Sequence, residues 1–223
     1  MNTYAWIDPP GQSAFPVARP GYPFIFGAGF TTAVLAIVGF KALALLGLGI
    51  TVFICCFFRD PDRAIPVVDR AVVSPADGKV VLVDHVAGNP FSDQPCLKIS
   101  VFMSVFNVHV NRIPYTGTVT GIRYFPGKFF NASLDKASKD NERNAIRIET
   151  EDGRGICFVQ IAGLVARRII CNIREGDCLQ RGQRFGMICF GSRLDVYLPE
   201  NAEPNVAVGD KVRAGTSILG YLR

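Results

Sequence analysis

Gly209-Asp210-Lys211-Val212-Arg213-Ala214-Gly215, close to the C-terminus, repeats the earlier Gly176-Asp177-Cys178-Leu179-Gln180-Arg181-Gly182 in the pattern G-D-x-[LV]-x-x-G. In each copy the glycines supply turn geometry, the aliphatic residue packs inward, and a strand-like run follows. Outward from these turns, short β-branched or aromatic runs are separated by Gly, Asp and Asn, at residues 79–86, 96–102, 118–124, 145–149, 156–162 and 165–171. From about residue 67 the chain therefore reads as a mainly β (α+β) domain, with one helical stretch expected over residues 132–139.

The N-terminal part has another character. Between Phe24 and Phe58 the only charged residue is Lys41. A single helix of that length would run about 50 Å, against about 30 Å of hydrocarbon. Two short spans, 24–40 and 42–58, fit better, with Gly39-Phe40-Lys41 as the turn and Lys41 snorkelling to the far interface. A single tilted span and a re-entrant hairpin stay open. The organisation read from this is a polar leader over 1–22, a membrane hairpin over 23–58, a proline-punctuated linker over 59–66 and a soluble domain over 67–223. A cleaved signal peptide fits poorly, because the segment lacks a basic leader and far exceeds a normal apolar core. Arg19, Arg59 and Arg63 flank the hairpin and place its ends, and the soluble domain, on the cytoplasmic side of the cell membrane.

The seven cysteines show no CxxC pairing, which reads as reduced thiols, and no cluster has metal-ligand spacing, so no metal is expected. The net charge of +5 suits anionic lipid headgroups; no aromatic-interleaved basic motif points to nucleic acid.

One dipeptide carries a chemical reading. Gly191-Ser192 interrupts two apolar runs, and although such a pair between strands is ordinarily a bulge or turn, it is also what self-cleavage requires. The Ser192 hydroxyl can attack the Gly191 carbonyl and convert the amide to an ester. β-Elimination and hydrolysis then leave a pyruvoyl group.

Four segments, Ser74-Pro75-Ala76-Asp77-Gly78-Lys79-Val80, Phe102 through Pro114 with Asn107-Val108-His109-Val110-Asn111-Arg112, Asn141-Glu142-Arg143-Asn144, and Gly191-Ser192, together resemble the phosphatidylserine decarboxylase family in its short, pyruvoyl-dependent form. The turns also resemble the hammerhead turns of biotinyl/lipoyl-type barrel sandwiches, although no lysine has the setting of a swinging-arm carrier. The resemblance implies a barrel-sandwich-like catalytic domain, cleavage between Gly191 and Ser192 into two fragments that stay packed together, and decarboxylation of phosphatidylserine to phosphatidylethanolamine through a Schiff base with a pyruvoyl group made from Ser192.

On that resemblance Asp77 assists self-cleavage and His109 moves protons during decarboxylation. Longer relatives carry a second histidine where this chain has Arg112, and a guanidinium is a poor base. Either His109 serves both steps or Asp77 activates Ser192 without an imidazole, leaving Arg112 to bind a carboxylate or phosphate. Lys128, Lys136, Lys139 and Arg143 are candidates for the lipid phosphate, or form a solvated basic loop. Two other readings stay open: a non-catalytic membrane-tethered barrel-sandwich module, which predicts an uncut chain, and a pyruvoyl decarboxylase acting on another amino-acid headgroup. Homo-oligomer formation is open as well.

Overall fold

A computed structural model describes residues 4–5, 16–130, 132, 140–164, 168–189 and 191–223. The chain divides into two compact units, residues 11–62 and residues 63–223 together with the N-terminal segment.

The smaller unit is a helical hairpin, α1 (Tyr22–Ile37) and α2 (Lys41–Phe57). The turn between them needs Gly39, whose φ of +91° is left-handed and disfavoured for residues with a Cβ. The helices touch closely at one point: Thr32 Oγ1 lies 3.3 Å from Thr51 Oγ1, and a Cβ on Gly47 would sit 2.6 Å from the Thr32 hydroxyl. Both threonines also return a hydrogen bond to the carbonyl four residues earlier, so no hydroxyl faces outward unmatched. The remaining surface is exposed Phe26, Phe30, Ile37, Leu45 and Leu46. Arg19–Ile37 is long and apolar enough to cross a membrane; Lys41–Phe57 is shorter.

The larger unit is mostly β, as the sequence indicates. Its centre is an eight-stranded antiparallel sheet in the order Cys178–Leu179, Gly117–Phe125, Arg143–Glu149, Gly155–Ala162, Ser192–Pro199, Cys96–Met103, Gly78–Val86, Lys211–Val212. Two three-stranded sheets accompany it, Ile169–Cys171 with Arg184–Ile188 and Val110–Arg112, and Glu203–Pro204 with Ile218–Tyr221 and Ala71–Val73. Tyr4–Ala5 pairs with Ile65–Pro66. Of the run expected over 165–171, the described strand is Ile169–Cys171. The helix expected over 132–139 lies outside the described residues, Ala132 apart.

The two G-D-x-[LV]-x-x-G turns form the two edges of the central sheet, and each docks on a matching segment. Gly215 donates its N–H to the Ser74 carbonyl as Gly182 does to Ile113, both at 2.7 Å. Val80 donates to the Asp210 carbonyl as Val119 does to Asp177. Asp210 and Asp177 each close their own turn by accepting a backbone N–H three residues earlier, which gives a short side-chain acceptor a use there. The docking segments match as well: Ser74-Pro75-Ala76-Asp77-Gly78-Lys79-Val80 overlays on Ile113-Pro114-Tyr115-Thr116-Gly117-Thr118-Val119, and both following strands carry a register shift just past that valine. The copies are tied by reciprocal bonds, Arg112 N–H to Pro75 O and Val73 N–H to Pro114 O. Gly182 and Gly215 also pack against the same Ile65, so the sheet curls until its edges meet there.

The pseudo-two-fold passes between Gly155–Ala162 and Ser192–Pro199, placing Ser192 on a central strand, hydrogen-bonded on both sides. Alternation sends Leu194, Val196 and Leu198 into the main core with Val101, Ile99, Leu97 and Phe158, while Tyr197 packs on the opposite face with Cys96, Ala145, Cys157, Val159 and Ile161.

Candidate active site

Ser192 opens its strand, opposite Met103 on one side and Ala162 on the other, and is fully buried. Its hydroxyl makes no hydrogen bond among the described residues. Gly191, just before it, has a φ of +65°, and directly across stands Gly163, where a Cβ would lie 2.0 Å from the Gly191 carbonyl oxygen. Burial pushes the nearby Cys189 thiol up.

The strand that Ser192 opens is anchored by charge on its other face. Arg193 Nε and Lys98 Nζ hold the two oxygens of Asp195 at 2.6 and 2.9 Å, and Arg193 donates to Ser100 Oγ at 2.8 Å. Burial alone would raise the Asp195 carboxyl, but Arg193 and Lys98 outweigh it and hold it below the usual carboxylate range. Burial raises the neighbouring Cys157 thiol and Tyr197 hydroxyl.

His109 ends the loop from Ser104 and is fully buried. Asn107 shapes that loop: its Oδ1 accepts from the Ser104 N–H and hydroxyl, and its carbonyl lies 2.9 Å from His109 Nδ1. A carbonyl only accepts, so Nδ1 carries the proton and Nε2 is the basic nitrogen of the neutral ring. His85, by contrast, is exposed.

Asp77 receives the Ala214 N–H at 2.7 Å and both oxygens face Arg63 Nη2, at 3.1 and 2.8 Å. It shares an open cleft of about 620 Å³ with Ser104 and Asn107, the residues that shape the histidine loop, and with Lys79, Lys211 and Arg213. No hydrogen bond joins Asp77 or His109 to the Ser192 hydroxyl in this uncut chain.

The basic candidates fall in two places. Lys128 and Arg143 flank Asn141: Lys128 bridges to it through the backbone, and Arg143 reaches its carbonyl while lying over the Phe125 ring. Arg112 is in another strand, buried, and donates to the Gly182 carbonyl at 2.8 Å. Lys136 and Lys139 lie outside the described residues.

Sequence reasoning read Arg63 only for its charge beside the hairpin, and did not single out Gln160, Gly163 or the individual parts played by Asn141 and Asn144. Asn144 donates to Gln160 Oε1 and Gln160 to Asn111 Oδ1, a buried polar chain opposite Leu194. Asn141 donates to the Ala162 carbonyl, opposite Ser192. The available signal was the asparagine spacing in Asn141-Glu142-Arg143-Asn144, whose two asparagines serve the strand next to Ser192–Pro199.

The family model described as phosphatidylserine decarboxylase matches residues 50–220. The phosphatidylserine decarboxylase proenzyme of Syntrophus aciditrophicus is 53% identical over 206 residues, covering 92% of this chain and 96% of that one. Those of Geotalea uraniireducens and Ralstonia pickettii are 51% and 50% identical, covering 93% and 92% of this chain and 97% and 95% of their own. With a family model matched over most of its length and relatives alike over nearly their whole length, the chain belongs to the phosphatidylserine decarboxylase family.

Proposed function

We propose that this chain is a proenzyme that cuts its backbone between Gly191 and Ser192 and then decarboxylates phosphatidylserine to phosphatidylethanolamine. The observation that carries this is the Ser192 hydroxyl, buried without a partner among the described residues beside a left-handed glycine. An unsatisfied buried hydroxyl costs about 1–3 kcal/mol, which favours a chemical role over packing. That the relatives are named phosphatidylserine decarboxylase proenzymes supports the same reading.

In the cleavage, Ser192 Oγ bonds to the Gly191 carbonyl carbon while its proton passes to a base; the C–N bond then breaks, the nitrogen takes a proton, and an ester remains. Loss of the Ser192 α-proton expels the Gly191 carboxylate. The resulting dehydroalanine tautomerises and takes up water, ammonia leaves, and position 192 becomes a pyruvoyl group. That group supplies a carbonyl that accepts the electron pair left behind by carbon dioxide. The chain's residues do the rest. Asp77, held by Arg63 and Ala214, and His109, oriented through Nδ1, are the groups assigned to move protons, with His109 delivering the final proton to carbon. Lys128 and Arg143, together with Lys136, are assigned to the lipid phosphate, and Arg112 to an anionic group of the substrate. No metal is required by this scheme.

The small fragment, residues 192–223, would stay in place after cutting, because Ser192–Pro199 is hydrogen-bonded along both edges. The apolar hairpin fits a protein drawn to its lipid substrate in the cell membrane, and the flanking Arg19, Arg59 and Arg63 support a cytoplasmic catalytic domain. Intact mass under denaturing conditions tests the reading. Two fragments divided at Gly191-Ser192, the smaller carrying a pyruvoyl group, together with carbon dioxide release from phosphatidylserine micelles containing chelator, are expected. A chain that stays whole in an active preparation, or a Ser192→Ala chain still cut there, would overturn it.

A further inference from the structure

We infer that Gly163 and Asn141 form the seat that fixes the scissile carbonyl, Gly163 by giving it room and Asn141 as a positioning residue acting through Ala162. The inference rests on the self-cleavage reading. For Ser192 Oγ to reach the Gly191 carbonyl carbon, that carbonyl must be turned correctly relative to the strand that follows it, and its orientation depends on what lies across the ladder.

Ser192 faces Ala162, and Gly163 is the next residue on that strand's path. A Cβ on Gly163 would lie 2.0 Å from the Gly191 oxygen, 2.9 Å from its carbon and 3.3 Å from the Ala132 Cβ. The first two contacts are with backbone, which cannot swing aside as a side chain would. The scissile carbonyl therefore rests directly on the bare Cα of Gly163, and any larger residue must push it out of position.

The residue before Gly163 is in turn held by a buried amide. Asn141 Nδ2 donates to the Ala162 carbonyl at 2.7 Å and to the Phe130 carbonyl at 2.8 Å, while its Oδ1 accepts the Phe130 N–H at 2.9 Å. The Ala162 N–H goes to the Glu142 carbonyl at 2.9 Å. Asn141 is fully buried, and both of its donors are committed. No other common side chain of this size offers two donors and an acceptor in one plane. Aspartate keeps the shape and the acceptor but loses both donors, which leaves the Ala162 carbonyl unheld.

The same strand supplies its own control. At Gly155, its other end, an added Cβ meets only the Arg147 side chain, at 3.4 Å. The experiment follows self-cleavage of the full-length chain in detergent by intact mass, comparing wild type with Gly163→Ala, Asn141→Asp and Gly155→Ala. Gly163→Ala is expected to slow cutting at least ~100-fold, Asn141→Asp about tenfold, and Gly155→Ala not at all, with thermal melting confirming that each is folded. A readout independent of activity uses the uncut Ser192→Ala background. There the ¹³C resonance of the Gly191 carbonyl should move with Gly163→Ala and with Asn141→Asp, and stay with Gly155→Ala. Wild-type rates in folded Gly163→Ala, or an unmoved Gly191 resonance, would overturn the seat while leaving self-cleavage intact. An uncut wild type would instead overturn the reading on which it rests.

Discussion

The two halves of the β unit share a backbone and differ in chemistry. At matched positions stand Asp77 and Thr116. The Thr116 hydroxyl accepts the Arg181 N–H at 3.1 Å, and one Asp77 oxygen accepts the Ala214 N–H at 2.7 Å. A single acceptor thus suffices to dock the glycine turn, as the threonine copy demonstrates. The carboxylate exceeds that need by one oxygen and one charge, and both oxygens face Arg63, whereas the Arg181 side chain is bound to the backbone carbonyls of Pro66, Val68 and Ala71. Near-symmetry separates the structural task, common to both copies, from what is added in one.

Giving the Asp77 half the chemistry of its twin should have the largest effect. In Asp77→Thr, combined with Arg63→Met so that no guanidinium is stranded, the turn keeps its acceptor and the fold should persist. Self-cleavage should fall at least ~100-fold, the contribution typical of a lost acid–base group. Time courses of intact mass check this, with Thr116→Asp as the reciprocal variant that should leave cutting unchanged. Full cleavage of the double variant would reduce Asp77 to a turn residue.

Next in size is the charge cluster behind the strand Ser192–Pro199. Asp195→Asn, made in the uncut Ser192→Ala background, leaves Arg193 and Lys98 buried beside a neutral amide. It should destabilise the domain by about 3–5 kcal/mol, read from urea unfolding, because breaking a buried pair exposes the desolvation penalty of the charges left behind. The matched position in the other half is Cys157, neutral and buried, so the cluster belongs to the Ser192 half alone.

How much of this was legible depended on the range of the signal. The glycine turns announced themselves because left-handed φ at Gly176, Gly182, Gly209 and Gly215 demands glycine at fixed spacing. The hairpin was legible from composition, with helix bounds of 22–37 and 41–57 against the expected 24–40 and 42–58. The match between the docking segments was harder to see, since only Pro, Gly and Val recur between 74–80 and 113–119 and the symmetry lies in backbone bonds. Ser192 and His109 stood out by residue type. Gly163 and Asn141 did not, because a glycine that clears a carbonyl across a ladder leaves no local pattern, and an asparagine bonded to residues 130 and 162 shows its role only after folding. Arg63 was read for its charge at the hairpin's edge, whereas its partner is 14 residues away.

A smaller effect tests the structural task itself. Thr116→Val removes the acceptor for the Arg181 N–H at an exposed edge and should cost about 1 kcal/mol, measured by thermal or urea unfolding. A much larger loss would mean that the acceptor does more than dock the turn. In that case the Asp77→Thr comparison would need the stability of both variants before its cleavage rates could be read.

The smallest effect comes from the second Arg–Asp pair. Asp152 is held at about 2 by Arg154 and Thr150 in the turn between Arg143–Glu149 and Gly155–Ala162, in solvent, whereas Asp195 is held low by Arg193 and Lys98 in the interior. Both carboxyls are depressed in the folded chain, so each stabilises the fold above the unfolded-state value of about 3.9, and that contribution is lost as pH falls through the folded-state value. The sign is the same and the weight is not. Water and salt screen the exposed pair, while the buried one is screened little. Asp152→Asn should therefore leave the melting temperature at pH 7 and its decline below pH about 4 unchanged. Asp195→Asn should lower the first and flatten the second. If the two variants behaved alike across that range, the buried cluster would not be what holds the strand Ser192–Pro199.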